Sequence, residues 1–164
     1  MQSNYQIMSK AIDIDQILES IPHEKPFRFI DGLETVSEEI SEGHYFFKKD
    51  EYFYKGHYPD LPITPSVILI ETMAQIGLIP LGIANYRSEN PAEDLGDTKP
   101  IFTNSDVKFI SPVFPETKVI VEAKKVYFRL NRLKAQVKLF NEERVLCASG
   151  VLSGMILNNT DLKI

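Results

Sequence analysis

The strongest constraint on this 164-residue chain is one long apolar stretch, Leu61 to Tyr86, whose only charged residue is Glu71. Three prolines interrupt it, which argues against a membrane span even though its length invites that interpretation. A helix that is apolar on nearly all sides is stable when its own protein encloses it. We therefore predict a buried central helix that starts at Thr64, a good N-cap, and Pro65, a good first helical residue.

The segments around this stretch have the patterns of a short helix and several strands. Apolar residues at helical spacing predict a helix near 13–20, which Pro22 ends. Strand patterns cover 27–36, 40–49, 101–110, 118–128, 132–140 and 144–157. One long buried helix with such strands indicates an α+β fold, because an antiparallel sheet wrapped around the helix would cover its apolar surface.

No shift in composition marks a domain boundary, so we expect a loose tail over 1–10 and a single domain over 11–164. The net charge of −5 argues against a nucleic-acid or anionic-membrane binder. A single cysteine, Cys147, excludes an intrachain disulfide framework and a cysteine-based zinc site, and it reads as a small buried hydrophobe. The first residues lack the pattern of a signal peptide, so we expect a cytoplasmic protein.

Glu71 is the first candidate for chemistry. A buried carboxylate is costly unless something satisfies it, and Gln75 lies four residues further along the same helix face. Because burial disfavours the charged form, Glu71 could hold a proton near neutral pH and act as a general acid. The alternative is a helix glutamate that faces solvent or hydrogen-bonds a neighbouring strand.

Histidine supplies the second candidate group. His57 follows Gly56 in a loop stiffened by prolines, and a rigid loop can position an imidazole as a general base. His23 lies in a proline-flanked turn, where a structural hydrogen bond is the expected role, and His44 lies in a strand pattern as a surface or satisfied residue.

The start of the buried helix is the third element. Its first amides lack intrahelical acceptors, so the amide of Ser66 could polarise a carbonyl oxygen. The condition is that the Thr64 side chain caps the amide of Val67 rather than that of Ser66. A base, a protonated acid and an oxyanion donor together suit removal of a proton α to a carbonyl, with departure of a β-hydroxyl.

The residues from 56 to 75, GHYPDLPITPSVILIETMAQ, resemble the signature of the β-hydroxyacyl-acyl carrier protein dehydratases of the FabZ/FabA type, which reads like GHFPxxPxxPGVLxxEAMAQ. The spacing of fourteen from His57 to Glu71 is the same. IPHEKPFRFID upstream and VKFISPVFPETKV downstream are similar to further family segments, so the resemblance covers roughly 10–157.

The resemblance implies a hot-dog fold and a homodimer, or a trimer of such dimers, with sites at the dimer interface. In such enzymes His57 would come from one subunit and Glu71 from the other, with the Ser66 amide, where the family has glycine, on the substrate carbonyl. No cofactor and no metal are used. The implied reaction dehydrates a 3-hydroxyacyl thioester on acyl carrier protein, or a related CoA thioester, to the trans-2-enoyl thioester.

The same resemblance suggests supporting residues. Phe53 could line the mouth of the site. Phe102 lies on the strand after the 87–99 loop, a segment that in relatives borders the acyl tunnel. Core packing is an alternative for both. Ile110 and Ser111 replace a basic pair of the family, so Lys124, Lys125 and Arg129 are candidates for docking an acidic carrier, or simply part of solvated strand faces.

Two other functions stay open. In a hot-dog acyl-thioesterase a helix carboxylate would activate water, and in a non-catalytic subunit the fold would bind acyl thioesters or only dimerise. The dehydratase could serve fatty acid synthesis or a specialised lipid, polyketide or pigment pathway.

Overall fold

The protein folds as one antiparallel sheet around a long helix. A computed structural model describes residues 12–160. The helices are α1 (Ile14–Ser20) and α2 (Ser66–Glu89), with 3₁₀ turns at Tyr52–Lys55 and Leu95–Asp97. The strands are β1 (Gly32–Val36), β2 (Ile40–Phe47), β3 (Thr98–Phe109), β4 (Thr117–Arg129), β5 (Arg132–Asn141) and β6 (Leu146–Asn158).

The six strands are ordered β1-β2-β4-β5-β6-β3, and each neighbouring pair is antiparallel. Strands β4 and β5 alternate buried with more exposed residues, as strands do when one face covers a core and the other meets solvent. Buried residues of α2, such as Met73 and Leu81, share one core with Val121 and Leu139 of the sheet. This arrangement confirms the α+β class and the hot-dog fold.

Helix α2 is long and apolar enough to cross a membrane by length and composition, but most of its apolar window is buried inside the protein. It approaches the sheet closely at Gly77, where a β-carbon would lie 2.9 Å from the Cβ of Ala123. The segment Ala74–Leu78 is π-helical, which inserts one extra residue into the helix. The buried hydroxyl of Ser41 donates a 2.7 Å hydrogen bond to the carbonyl of Ile76 inside this segment.

Two local expectations need correction. Helix α2 begins at Ser66 rather than at Pro65, and the Thr64 side chain does not cap it, because the Thr64 hydroxyl is hydrogen-bonded to the Tyr54 hydroxyl at 2.7 Å. Strand β1 is shorter than the predicted 27–36, because the amide of Phe29 bonds to a helix side chain instead of a strand.

The other elements follow the sequence closely. The predicted helix near 13–20 is α1, with the Asp13 carboxylate accepting from the amides of Asp15 and Gln16. Strands β3 to β6 begin and end within three residues of the predicted segments. The tail proposed for 1–10 lies outside the described residues.

Candidate active site

The Glu71 carboxyl lies at one end of an apolar cavity between α2 and the sheet. Its side chain is 19% exposed, so it is mostly but not fully withdrawn from solvent. Ala74, Leu78 and Gly82 continue the cavity wall along the same face of α2. The strands complete the lining with Pro100, Ile101, Phe102, Leu133, Gly154, Met155 and Ile156. The cavity therefore suits a linear hydrocarbon whose polar end meets Glu71.

Gln75 holds Glu71 in place. Its side-chain oxygen accepts from the Phe29 amide at 2.6 Å, which identifies the other terminal atom as the nitrogen. That nitrogen donates to the carbonyl of Phe27 and to Oε1 of Glu71, both at 2.9 Å. Because an amide nitrogen only donates, Oε1 must accept. A proton that Glu71 gives to a substrate must therefore lie on Oε2.

His57 is held by the main chain. Its Nδ1 lies 2.9 Å from the carbonyl oxygen of Ile63, which can only accept. Nδ1 therefore carries a proton, and Nε2 of the neutral ring presents a lone pair, as a general base requires. Within residues 12–160, no hydrogen bond joins His57 to Glu71, and His57 does not line the cavity.

Hydrogen bonds anchor both ends of the loop that carries His57. The Tyr54 hydroxyl bonds to the Thr64 hydroxyl ten residues away, and the Thr64 amide donates to the carbonyl of Val113 at 2.8 Å. Burial raises the pKa of Tyr54 to about 12, so its hydroxyl keeps its proton throughout the physiological range. These bonds restrict the loop before any substrate binds, which lowers the cost of ordering His57.

Within residues 12–160, the start of α2 leaves the amide of Ser66, the expected donor to a substrate carbonyl, without an acceptor. The carbonyl of Pro65 accepts from the amides of Ile68 and Leu69, at 2.9 and 3.1 Å. Among the described residues, no acceptor pairs with the amide of Ser66, and Ser66 itself is exposed. The expectation that the Thr64 side chain would cap Val67 is wrong, but the Ser66 amide is available without it.

The structure brings His23 to Glu71, although the sequence assigned it only a structural hydrogen bond. Its Nε2 lies 3.3 Å from Oε1 of Glu71, and its ring lines the cavity. Burial lowers the pKa of His23, partly opposed by the Glu71 carboxylate and reinforced by the Arg28 guanidinium. The only sequence signal for this role was the position of His23 inside the second segment that resembles the family.

Gly56 and Phe53 lie beside the His57 loop and outside the cavity. A β-carbon on Gly56 would meet nothing within 4 Å, and its φ of −112° is open to any residue, so this chain alone does not explain the glycine. Phe53 packs edge-on against Phe29 and Phe47 in an aromatic cluster, and it supports the loop rather than lining the cavity. Phe102 does line the cavity.

The proposed carrier patch needs one correction. The Lys125 side chain is only 17% exposed, and its ammonium lies 2.8 Å from a Glu39 carboxylate oxygen and 3.0 Å from Oδ1 of Asn85. Lys125 is therefore already paired inside the protein and is no longer a candidate for carrier docking. Lys124 and Arg129 are exposed and stay candidates.

Two further residues behave as the sequence indicates. Cys147 is buried on β6, and burial raises the pKa of its thiol, which disfavours the reactive thiolate. His44 pairs with the Glu34 carboxylate at the sheet surface.

The fold and the site together define the protein as a hot-dog enzyme of the class that acts on acyl thioesters. The chain belongs to the FabA-like domain family, which matches residues 21–149. It is 30% identical to a 3-hydroxyacyl-[acyl-carrier-protein] dehydratase FabZ of Nitratidesulfovibrio vulgaris, over 92% of this chain and 95% of that one. A dehydratase of the same name from Caldicellulosiruptor bescii is 29% identical, over 85% of this chain and 96% of that one.

Solved structures show the same fold at lower identity. The dehydratase heterocomplex ApeI:P of Xenorhabdus doucetiae superimposes with a TM-score of 0.69 and 16% identity, over 93% of this chain and 96% of that one. The thioesterase HI1161 of Haemophilus influenzae gives 0.65 and 14%, over 94% and 97%. Since dehydratases and thioesterases share this fold, the fold alone does not separate the two reactions.

Proposed function

We propose that the protein dehydrates 3-hydroxyacyl thioesters on acyl carrier protein to trans-2-enoyl thioesters. The observation that carries the proposal is the Glu71 carboxyl, held by Gln75 at the end of an apolar cavity. Relatives named as dehydratases, matched over most of the chain, support this reaction over thioester hydrolysis.

Each group has one role in the reaction. Nε2 of His57 removes the proton α to the thioester carbonyl, and the Ser66 amide donates to the carbonyl oxygen as charge develops there. Oε2 of Glu71 gives its proton to the β-hydroxyl, the C–O bond breaks, and water leaves. The cycle ends with His57 protonated and Glu71 ionised, and solvent resets both.

We propose that the working unit is a homodimer in which His57 of one chain meets Glu71 of the other. Support comes from the separation of the two residues in one chain and from β3, a 12-residue strand at the sheet edge. Exposed apolar residues on and beside this strand include Phe102, Phe109 and Ile110. A long exposed apolar edge is a hazard in a monomer and a suitable pairing surface in a dimer.

A single assay separates the candidate functions. The purified protein is incubated with a 3-hydroxyacyl thioester while enoyl absorbance and free thiol are followed. Enoyl product supports dehydration, free thiol indicates a thioesterase, and neither signal indicates a non-catalytic acyl-binding subunit. Glu71→Gln is the matched control, because it keeps the shape of the side chain and cannot supply the proton.

Mixing variants tests the composite site. After subunit exchange between His57→Ala and Glu71→Ala proteins, a mixed dimer would contain one site with both residues intact. We expect activity to reappear on mixing, and inactivity of a mixture shown to have exchanged would contradict the shared site. The mass of the assembly in solution distinguishes a dimer from a trimer of dimers.

The carrier protein and the compartment are part of the same proposal. The exposed Lys124 and Arg129 could attract an acidic carrier, and a buried single cysteine suits the cytoplasm. The dehydratase could serve fatty acid synthesis or a specialised pathway.

A further inference from the structure

Among residues 12–160, His23 is the one titratable side chain in contact with Glu71 for which the dehydration mechanism above has no role. Its Nε2 lies 3.3 Å from Oε1 of Glu71, the same oxygen that accepts from Gln75. Its other ring nitrogen, Nδ1, is buried and has no hydrogen-bond partner among the residues the structure describes. A buried polar atom without a partner is costly, so this arrangement calls for an explanation.

The surroundings of the His23 ring favour one of its two neutral tautomers. With the proton on Nε2, an N–H lies 3.3 Å from Oε1 of Glu71, and only a lone pair at Nδ1 is left unpaired. With the proton on Nδ1, a buried N–H would be unpaired and a lone pair would face the carboxyl oxygen. The first tautomer is therefore favoured, and burial keeps the ring neutral by lowering the pKa of His23.

The position of His23 is enforced by its neighbours. The Arg28 guanidinium donates to the main-chain carbonyls of Leu18, Ile21 and His23, at 3.0, 3.1 and 3.0 Å, and so holds the turn. Arg28 and Glu71 are the charged groups that act on the ring, and the Phe27 ring packs beside it. The imidazole is thus directed at the acid rather than placed there by a loose surface loop.

We infer that His23 is a positioning residue that stabilises the Glu71 carboxylate formed when the proton leaves for the substrate hydroxyl. This inference rests on the proposed dehydration. When Oε2 releases its proton and the C–O bond breaks, negative charge spreads to Oε1. Gln75 already donates a hydrogen bond to Oε1, and Nε2 of His23 lies 3.3 Å from the same oxygen, so the charge develops beside fixed dipoles instead of disordered water.

The test compares His23→Leu, which removes the donor, with His23→Gln, whose terminal nitrogen can still donate to Glu71. We expect His23→Leu to lower kcat about 10- to 100-fold with little change in KM, which is the usual worth of one hydrogen bond to a charged group. His23→Gln should recover most of kcat.

A double-mutant cycle separates action through Glu71 from a general structural effect. In a Glu71→Gln background, adding His23→Leu should lower the residual kcat little further, because the carboxylate it would stabilise no longer forms. His44→Leu is the matched control, since it removes another histidine–carboxylate pair whose residues do not line the cavity, and its kcat should stay at the wild-type value.

The outcomes distinguish this inference from the proposed function. If wild-type protein forms no enoyl product, the proposed function fails. If wild-type protein is active and His23→Leu keeps its kcat, the role of His23 is refuted while the dehydratase stands. Equal losses in His23→Leu and His23→Gln, or additive losses with Glu71→Gln, would also overturn it.

Discussion

Gly82 offers a way to shorten the acyl cavity by design. It lines the cavity eleven residues after Glu71, which is about 16 Å along a helix axis. A β-carbon there would lie 3.3 Å from Cδ1 of Ile156 and 3.7 Å from Cδ2 of Leu133, both of which are ends of flexible side chains in the same cavity. Gly82→Leu should therefore fill the far end of the cavity without disturbing Glu71.

The size of the effect follows from burial of methylenes. A leucine side chain adds four carbons and would displace about three methylenes of a long acyl chain, each worth about 0.8 kcal/mol when buried. The loss of about 2.4 kcal/mol corresponds to about 50-fold in kcat/KM for chains that reach Gly82. Shorter chains should be unaffected. Gly82→Ala should cost long chains only about fourfold, since it displaces about one methylene.

The assay measures kcat/KM for a series of 3-hydroxyacyl thioesters of increasing length, with enoyl absorbance as the signal. Gly77→Ala is the control on the same helix, because its new methyl would press against Ala123 and Val137 of the sheet, at 2.9 and 3.1 Å, and not enter the cavity. It should lower the free energy of unfolding by about 1–3 kcal/mol and leave length preference unchanged. A uniform loss across all lengths in Gly82→Leu would refute this description of the cavity.

Three further predictions concern catalysis, alkaline stability and carrier docking. His57→Ala and Glu71→Gln should each lower kcat by about 10²- to 10⁴-fold with unchanged far-UV circular dichroism, and near wild-type turnover in either would refute the mechanism. Burial raises the pKa of Tyr54 to about 12, so the stability that its protonated hydroxyl contributes is complete below pH 10 and is lost as the pH rises from 10 to 12. Denaturant titrations should show this fall in the free energy of unfolding. The fall should be smaller in Tyr54→Phe. Reversing Lys124 and Arg129 to Glu should raise KM for carrier-bound substrate but not for a pantetheine thioester, whereas equal effects on both would mean that the patch is only solvated surface.

Much of the candidate site could be proposed from the sequence because its residues are close together along the chain. His57, Ser66 and Glu71 lie within fifteen residues, and the loop and helix that carry them are marked by prolines and by an apolar run. The Gln75 contact follows from helix geometry, since residues four apart share a face. Such short-range relations depend on backbone geometry alone, which the order of residues encodes directly.

Long-range contacts decided the rest. The sequence did not place His23 on Glu71, 48 residues away, nor did it show that Thr64 bonds to Tyr54 instead of capping α2. Lys125 looked like a free surface cation until the fold brought Glu39 to it. Each of these side chains has several possible partners in an extended chain, and the partner is selected only when the sheet closes around the helix.

By itself, the sequence determined that an apolar helix must be enclosed and that strands enclose it. It also showed that an acid, a base and a helix start lie within one short segment of the chain. Hydrophobic periodicity records which face of each element is buried, so these features can be read locally. The tertiary structure alone decided which remote side chains meet Glu71 and which residues form the cavity wall. Those contacts join segments far apart along the chain, and their distances are set by packing, which no local pattern contains.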